Sequence, residues 1–412
     1  MKGKFVSITG AGDTLIRQGE ELDKEWEAMY ETMVSWRRYL HQHPELSYKE
    51  VNTAAFVAEK LTEWGLEVRT GMGGHGLVAD LQGDAPGPTV ALRADMDALP
   101  IQDEKQCGYA SKVPGVMHAC GHDAHTSTLL AAAKIWSTKK ERLKGRIRFI
   151  FQHAEEVTPG GAASMIEAGA LDGVDVIYGV HLWTPLEVGV VGSNPGAMMA
   201  AADEFHFEIR GKGGHGGMPH QAVDSVVIGS HAVVNLQTIV SRTVSPIDSC
   251  VVTIGSINGG TNFNVIAETC KMKGTTRTFD SVLRLQVKER VEEIVASTCK
   301  MYGAESVMDY RLGYPPLINH PGEFERFRQV ASGMLPDDRV LTIEPVMAAE
   351  DFAYYLQRVP GCFIFVGAGN ARTGADYPHH HPKFDLDERA MLTAGKLLTR
   401  MALHVLDETG TR

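Results

Sequence analysis

Hydrophobic periodicity changes character twice along the 412 residues, and this double change restricts the fold more than any single motif does. Up to about Val188, stretches with apolar residues at a period near 3.6 alternate with short apolar runs. In residues 20–40, Trp26, Met29, Tyr30, Met33, Val34 and Trp36 fall on one helical stripe that Pro44 ends. Residues 51–64 read as a second helix, stopped by Gly65. Residues 77–81, 89–94, 146–152 and 174–182 read as strands, and 126–136 and 161–168 as helices. Strands alternating with helices predict an α/β layer with helices on both faces of a sheet.

Beyond Val188 the order becomes strand 204–210, helix 222–241, strands 250–257 and 265–278, helix 282–301 and strand 306–312. That is the order of the ferredoxin-like split unit. After Pro315 and Pro316 the first texture returns, with helices at 324–334, 351–358 and 386–406 and a strand at 363–366. A chain of this length exceeds one ordinary core. The expectation is a mixed-sheet α/β/α domain over 1–190 plus 312–412, with a ferredoxin-like (α+β) domain at 191–311 inserted into it.

Charge narrows the class of partner. The formal net charge is -11, and the Lys-rich segment 139–144 is broken by Glu141, so no basic face for nucleic acid is expected. No run is long and apolar enough to span a bilayer, and residues 1–20 lack the apolar centre of a signal peptide. Six cysteines, at 107, 120, 250, 270, 299 and 362, are too sparse for a disulfide framework. A reducing cytoplasm is the expected compartment, and a cysteine beside histidines becomes a candidate ligand.

One cysteine has that company. In Met117-His118-Ala119-Cys120-Gly121-His122-Asp123-Ala124-His125, a thiol and imidazoles lie close enough to bind a borderline-soft cation such as zinc. Gly121 allows the backbone to turn between Cys120 and His122. A closed structural zinc site would need a second cysteine pair, and none stands at that spacing. In Gln152-His153-Ala154-Glu155-Glu156, adjacent carboxylates follow a predicted buried strand, where α/β folds place their sites. One carboxylate could bind metal while the other acts as general base; an acidic pair opening a helix is the plainer reading. His181 closes another apolar strand, and His379-His380-His381-Pro382 is a dense imidazole run. Asp95 and Asp97, after strand 89–94, could orient a ligand histidine. Two glycine-rich stretches, 71–76 and 211–216, match the dinucleotide fingerprint G-x-G-x-x-G. The first precedes a strand rather than a helix, and the second lacks the acidic residue a ribose needs.

Taken together, Arg93 to Pro100, Met117 to Thr126, Phe151 to Glu156, Gly211 to His220, Glu350-Asp351-Phe352 and His380 to Phe384 resemble the dinuclear-metal amidohydrolases. That group includes bacterial aminoacylase, hippurate hydrolase and the auxin-conjugate hydrolases, and the similarity runs from about Trp36 to the last helix. The resemblance implies two divalent ions, zinc, manganese, cobalt or nickel, held by Cys120, His122, Glu156, His181 and His380. Alignment on Pro382 and Phe384 picks His380 over His379 and His381. It implies Glu155 as general base and His215 as a group reaching the scissile carbonyl, in relatives across a dimer interface. Asn264 and Arg277 match residues that hold the substrate's carboxylate and carbonyl oxygen. The implied reaction is hydrolysis of N-acyl amino acids by a homodimer or homotetramer, with a dipeptidase or carboxypeptidase as the alternative. The chain departs from the wider group at Asp95-Met96-Asp97, where a His-x-Asp motif is usual, and at Ala267, where proline is usual.

Overall fold

A computed structural model describes residues 10–408 of the chain. Of the segment searched for a leader, residues 1–9 lie outside the described residues. In chain order the first elements are α1 (Gly10–Gln42), α2 (Val51–Glu63), β1 (Glu67–Met72), β2 (Gly76–Gln82), β3 (Ala85–Asp95), α3 (His122–Ser137) and β4 (Lys144–Gln152). They are followed by α4 (Ala162–Glu167), β5 (Val176–Glu187), β6 (Val191–Ser193), β7 (Ala197–Met199), β8 (Ala201–Arg210) and β9 (Gly214–His215). Then come α5 (Ser225–Thr238), β10 (Cys250–Gly259), β11 (Val265–Ile266), β12 (Thr269–Thr278), α6 (Ser281–Met301), β13 (Glu305–Tyr314) and β14 (Leu317–Ile318). The chain closes with α7 (Pro321–Ser332), β15 (Val340–Thr342), α8 (Ala353–Leu356), β16 (Gly361–Gly369) and α9 (Ala390–Glu408).

These elements form two compact units: Met1–Gly196, Asn319–Ile343 and Tyr354–Arg412 in one, Ala197–Ile318 and Glu344–Ala353 in the other. The first is built on a mixed eight-stranded sheet in the order β1-β2-β4-β3-β5-β16-β6-β15. Its central pairs, β4 with β3, β3 with β5 and β5 with β16, are parallel, and β16 is buried along its whole length. Strands covered on both faces read as continuous apolar runs, which is why periodicity alone located them. Helices α1, α3 and α9 pack on one another beside this sheet. The Trp26 ring lies so close to Gly395 that a Cβ there would stand 2.2 Å from it, and the indole Nε1 donates to Thr399 Oγ1 at 3.2 Å.

Register places the first unit's chemistry. Asp95 at the end of β3 pairs with Gln152 at the end of β4, Arg93 with Gly179 of β5, and Phe365 of β16 with His181. The carboxyl ends of the parallel strands therefore reach one level, the usual position of α/β sites. Glycines 71–76 form the β1–β2 connection. A Cβ on Gly73 would lie 2.4 Å from the Ser164 backbone, and one on Gly74 would lie 2.6 Å from His153 Nε2. Close packing, rather than a phosphate cradle, accounts for those glycines.

The second unit carries the antiparallel sheet β10-β12-β8-β13 with α5 and α6 packed against it. Phe205, Phe207 and Ile209 alternate inward along β8 to meet Ile228, Leu236, Val287, Val291 and Val295 from the helices. Asp224 and Asp280 cap these helices, each accepting from two backbone N–H groups. The helix expected at 222–241 thus starts at Ser225, because Asp224 takes the cap position. The strand expected at 265–278 divides in two. The carbonyls of Ala267 and Glu268 accept from Ser225 and Gly211 instead of a ladder partner, so Val265 and Ile266 pair with His215 and Gly214 apart from the main sheet. The helix expected at 351–358 shortens to Ala353–Leu356.

Candidate active site

The first unit gathers its imidazoles and carboxylates at the strand ends. Gly121, in the left-handed conformation at φ 99°, ends the loop from β3 and begins α3, so Cys120 and His122 flank a sharp turn. His122 Nδ1 lies 3.0 Å from the Asp97 carbonyl and 3.2 Å from its Oδ1, and so carries the hydrogen. That leaves Nε2 pointing away from Asp97, 3.8 Å from Glu156 Oε1. Both His122 Nε2 and Glu156 Oε1 are buried and lack a hydrogen-bond partner. His380 Nε2 approaches the same Glu156 oxygen at 3.3 Å. On the other side, His181 donates from Nδ1 to the Leu182 carbonyl at 3.0 Å and turns Nε2 toward Cys120 Sγ, 3.4 Å away. Cys120, Glu156 and His380 offer ligand atoms within 4.8 Å of one another, as do His122, Glu155 and Glu156.

His122 Nε2 and Glu156 Oε1 meet without a hydrogen bond between them, an arrangement that suits a shared cation taking the place of the His122 proton. The electrostatics agree. Burial opposes charge on His122, yet Asp95, Asp97 and Glu156 raise its pKa to about 10. Burial, then Glu156, Glu155 and Asp95, push the Cys120 thiol well above its usual range, so a metal must displace its proton. Burial and the neighbouring His125 and His379 keep His181 neutral, the form in which imidazole binds metal. The donor set, one thiolate, three imidazoles and a carboxylate, suits borderline divalent ions.

Other imidazoles nearby are already committed. His125 bonds Asp95 Oδ1 through Nδ1 at 2.7 Å, and its Nε2 accepts the Leu182 N–H at 2.9 Å. His379 accepts the Thr184 N–H at Nε2, stacks on Trp183 with ring centres 4.6 Å apart, and faces Cys120 Sγ with Nδ1 at 3.8 Å. Burial lowers its pKa to about 3. The His381 Nδ1 accepts from Lys383 N at 3.0 Å.

Residues 91–404 match the sequence model of the peptidase family M20/M25/M40. The chain belongs to that family. It is accordingly a metal-dependent amidohydrolase of the M20 type, and the dinuclear metal site is a property of its group. Among curated M20 relatives, an N-acyl-L-amino acid amidohydrolase of Geobacillus stearothermophilus is 48% identical over 301 residues, covering 73% of this chain and 81% of the relative. An N-acetyl-L-cysteine deacetylase of Bacillus subtilis is 40% identical over 413 residues, covering 99% and 96%. The solved structure of the Bacillus subtilis YXEP protein, described as a dinuclear metal binding peptidase of this family, superposes with a TM-score of 0.80. It is 33% identical and covers 92% of this chain and 99% of that one.

In this M20 chain the sequence-selected residues fall into two groups. Cys120, His122, Glu155, Glu156, His181 and His380 come together in the first unit, as described. In the second unit, His215 on β9 pairs with Val265 on β11, and the Asn264 carbonyl accepts the Gly216 N–H at 2.8 Å, so His215 and Asn264 share one ribbon. His215 is exposed and its Nδ1 accepts the Gly217 N–H at 3.0 Å, which leaves the proton on Nε2. Arg277 lies on β12, half-buried, donating to Thr275 Oγ1 and to the Thr276 carbonyl.

Several supporting residues escaped the sequence reading. Asp97 does more than orient His122: its Oδ2 accepts Ser47 Oγ at 2.6 Å and the Glu156 N–H at 3.0 Å. Asp123, next to His122, meets the fully buried Arg37 at 2.9 Å and His41 at 2.7 Å. Arg37 and His41 stand on one face of α1, four residues apart, and only that i, i+4 spacing hinted at a shared role.

Proposed function

We propose that the protein hydrolyses the amide bond of N-acyl amino acids, releasing a carboxylic acid and a free amino acid. In this reading Cys120, His122, Glu156, His181 and His380 hold two divalent ions, and Glu155 moves the proton. The observation that carries it is the buried approach of His122 Nε2 and Glu156 Oε1 at 3.8 Å with no hydrogen bond between them, in a cluster that also holds Cys120, Glu155 and His380. The names of the amidohydrolase and deacetylase relatives support the substrate class.

A pair of such ions supplies Lewis acidity toward the carbonyl and makes water a stronger acid. Glu155 takes a proton from the attacking water as the new C–O bond forms, then delivers it to the amide nitrogen as the C–N bond breaks. His215, with its proton on Nε2, is assigned to the carbonyl oxygen, where one such donor is worth about 3–4 kcal/mol. Arg277 and Asn264 are assigned to the substrate's carboxylate and carbonyl oxygen, and a guanidinium holds a carboxylate better than an ammonium would. Zinc, manganese, cobalt and nickel are all chemically admissible. The resemblance further implies a homodimer or homotetramer.

The peptidase description of the YXEP structure favours a second reading, cleavage of dipeptides or of a C-terminal residue. A single screen separates the two. Metal-free protein is reloaded with each ion and offered N-acetyl and N-benzoyl amino acids alongside dipeptides. Turnover of the acyl amino acids at higher kcat/KM is expected; faster cleavage of dipeptides throughout would replace the first reading with the second.

A further inference from the structure

Glu50 lies just before α2 with no exposed surface. Its Oε1 accepts two backbone N–H groups, from Tyr48 at 3.0 Å and from Ala154 at 2.8 Å. Its Oε2 is buried without a hydrogen-bond partner. Tyr48 (φ 65°) and Ala154 (φ 52°) both have left-handed backbones, and among the described residues His380 (φ 65°) is the one other non-glycine residue to do so. Such conformations cost energy in L-residues and persist only where the surroundings enforce them. One carboxylate oxygen thus ties together two left-handed corners more than a hundred residues apart in sequence.

The second corner matters for chemistry. Ala154 turns the chain out of β4 directly into Glu155 and Glu156. The Tyr48 hydroxyl grips the far side of the same loop, donating to the Val157 carbonyl at 3.2 Å and accepting the Gly160 N–H at 3.1 Å. Within the loop, Gly161 N donates to the Ala154 carbonyl at 3.0 Å. The loop bearing both carboxylates therefore hangs from Glu50 at one end and from Tyr48 at the other.

We propose that Glu50 is a positioning residue, which sets the placement of the Glu155 and Glu156 carboxylates through its Oε1, the common acceptor of the Ala154 and Tyr48 N–H groups. This rests on the reading of Glu155 as proton carrier and Glu156 as metal ligand. Backbone N–H groups are satisfied by an amide carbonyl as well as by a carboxylate, so the position requires an acceptor at one distance rather than a charge. Burial, with Asp97 adding to it, raises the Glu50 pKa to about 7, which agrees with a role that does not depend on ionisation. Aspartate in its place would keep the carboxylate but fall short by one C–C bond, about 1.5 Å.

The test compares Glu50→Gln with Glu50→Asp in metal-loaded full-length protein. Glu50→Asp is expected to lower kcat at least tenfold with KM within threefold, and to raise the apparent zinc dissociation constant at least fivefold in chelator competition. Glu50→Gln should keep kcat within threefold and zinc affinity within twofold of the parent. Parent-like behaviour of Glu50→Asp overturns the proposal, and so does a loss in Glu50→Gln as deep as that in Glu50→Asp. If Glu50→Asp does not fold, Glu50→Gln decides by itself: parent-like kcat and affinity support the proposal, and a tenfold loss overturns it. Failure of the functional reading would look different, because the parent would turn over no acyl amino acid while the zinc measurement still reported on Glu50.

Discussion

The backbone N–H of Thr184 donates to Nε2 of His379 at 3.3 Å. A ring that accepts there carries its hydrogen on Nδ1 and keeps no lone pair for a metal. His380, one residue on, has its Nε2 3.3 Å from Glu156 Oε1. His380→Ala should therefore lower bound metal from two ions per chain toward one, or weaken the second by more than tenfold, while His379→Asn keeps both. Elemental analysis after dialysis against buffered zinc distinguishes them; equal loss in the two variants would move the ligand assignment.

Glu155 stands among the carboxylates but is assigned to proton transfer. Glu155→Gln should keep metal content and thermal midpoint near those of the parent and reduce kcat by about a hundredfold or more. Steady-state kinetics together with metal analysis check this. Near-normal turnover would remove Glu155 from the mechanism.

The protonation state of the empty ligand set gives a third expectation. With the His122 pKa raised to about 10 and the Cys120 thiol held well above its usual range, both carry protons at pH 8. Zinc binding at that pH should release about two protons per chain, read by calorimetry in buffers of different ionisation enthalpy. Linkage gives the matching sign for stability. A histidine pKa above its unfolded value of about 6.5 contributes stability that is complete below that pH and lost as pH rises through 10. The metal-free protein should therefore show a falling thermal midpoint from pH 7 to 10, and a flat profile would contradict the charge assigned to His122.

Arg37 is fully buried and faces Asp123 at 2.9 Å, Asp385 at 2.8 Å and Glu388 at 3.2 Å. Arg37→Ala leaves those carboxylates without their shared cation. It should destabilise the first unit by about 3–5 kcal/mol, measured by urea unfolding of the metal-loaded protein. A change under 1 kcal/mol would mean that the carboxylates find other partners.

Periodicity made most of the layer architecture legible, because buried parallel strands such as 174–182 and amphipathic helices such as 51–64 carry their burial in their own composition. It could not foresee the break at Ala267 and Glu268, since that depends on N–H groups of Gly211 and Ser225 far upstream. Motifs singled out side chains that the fold brings together, because Cys120-Gly121-His122 and Glu155-Glu156 are local clusters. Among three consecutive histidines, only alignment on Pro382 and Phe384 picked His380; the fold gives the neighbours different surroundings, His380 at φ 65° and His379 under the Thr184 N–H. Arg37, His41 and Glu50 could not be tied to the site from the sequence, because each bonds a segment 80 or more residues distant and the i, i+4 spacing of the first two says only that they share a helix face.

That break at 267–268 has a wider meaning. His215 and Asn264 ride on a ribbon that is paired only with itself, outside the four-strand ladder. The exposed residues beside them, 216–221 and 259–263, can change without disturbing the apolar layer beneath α5 and α6. Under the roles proposed for His215 and Asn264, selection is free to alter substrate preference at this ribbon while the core that folds the second unit is inherited intact.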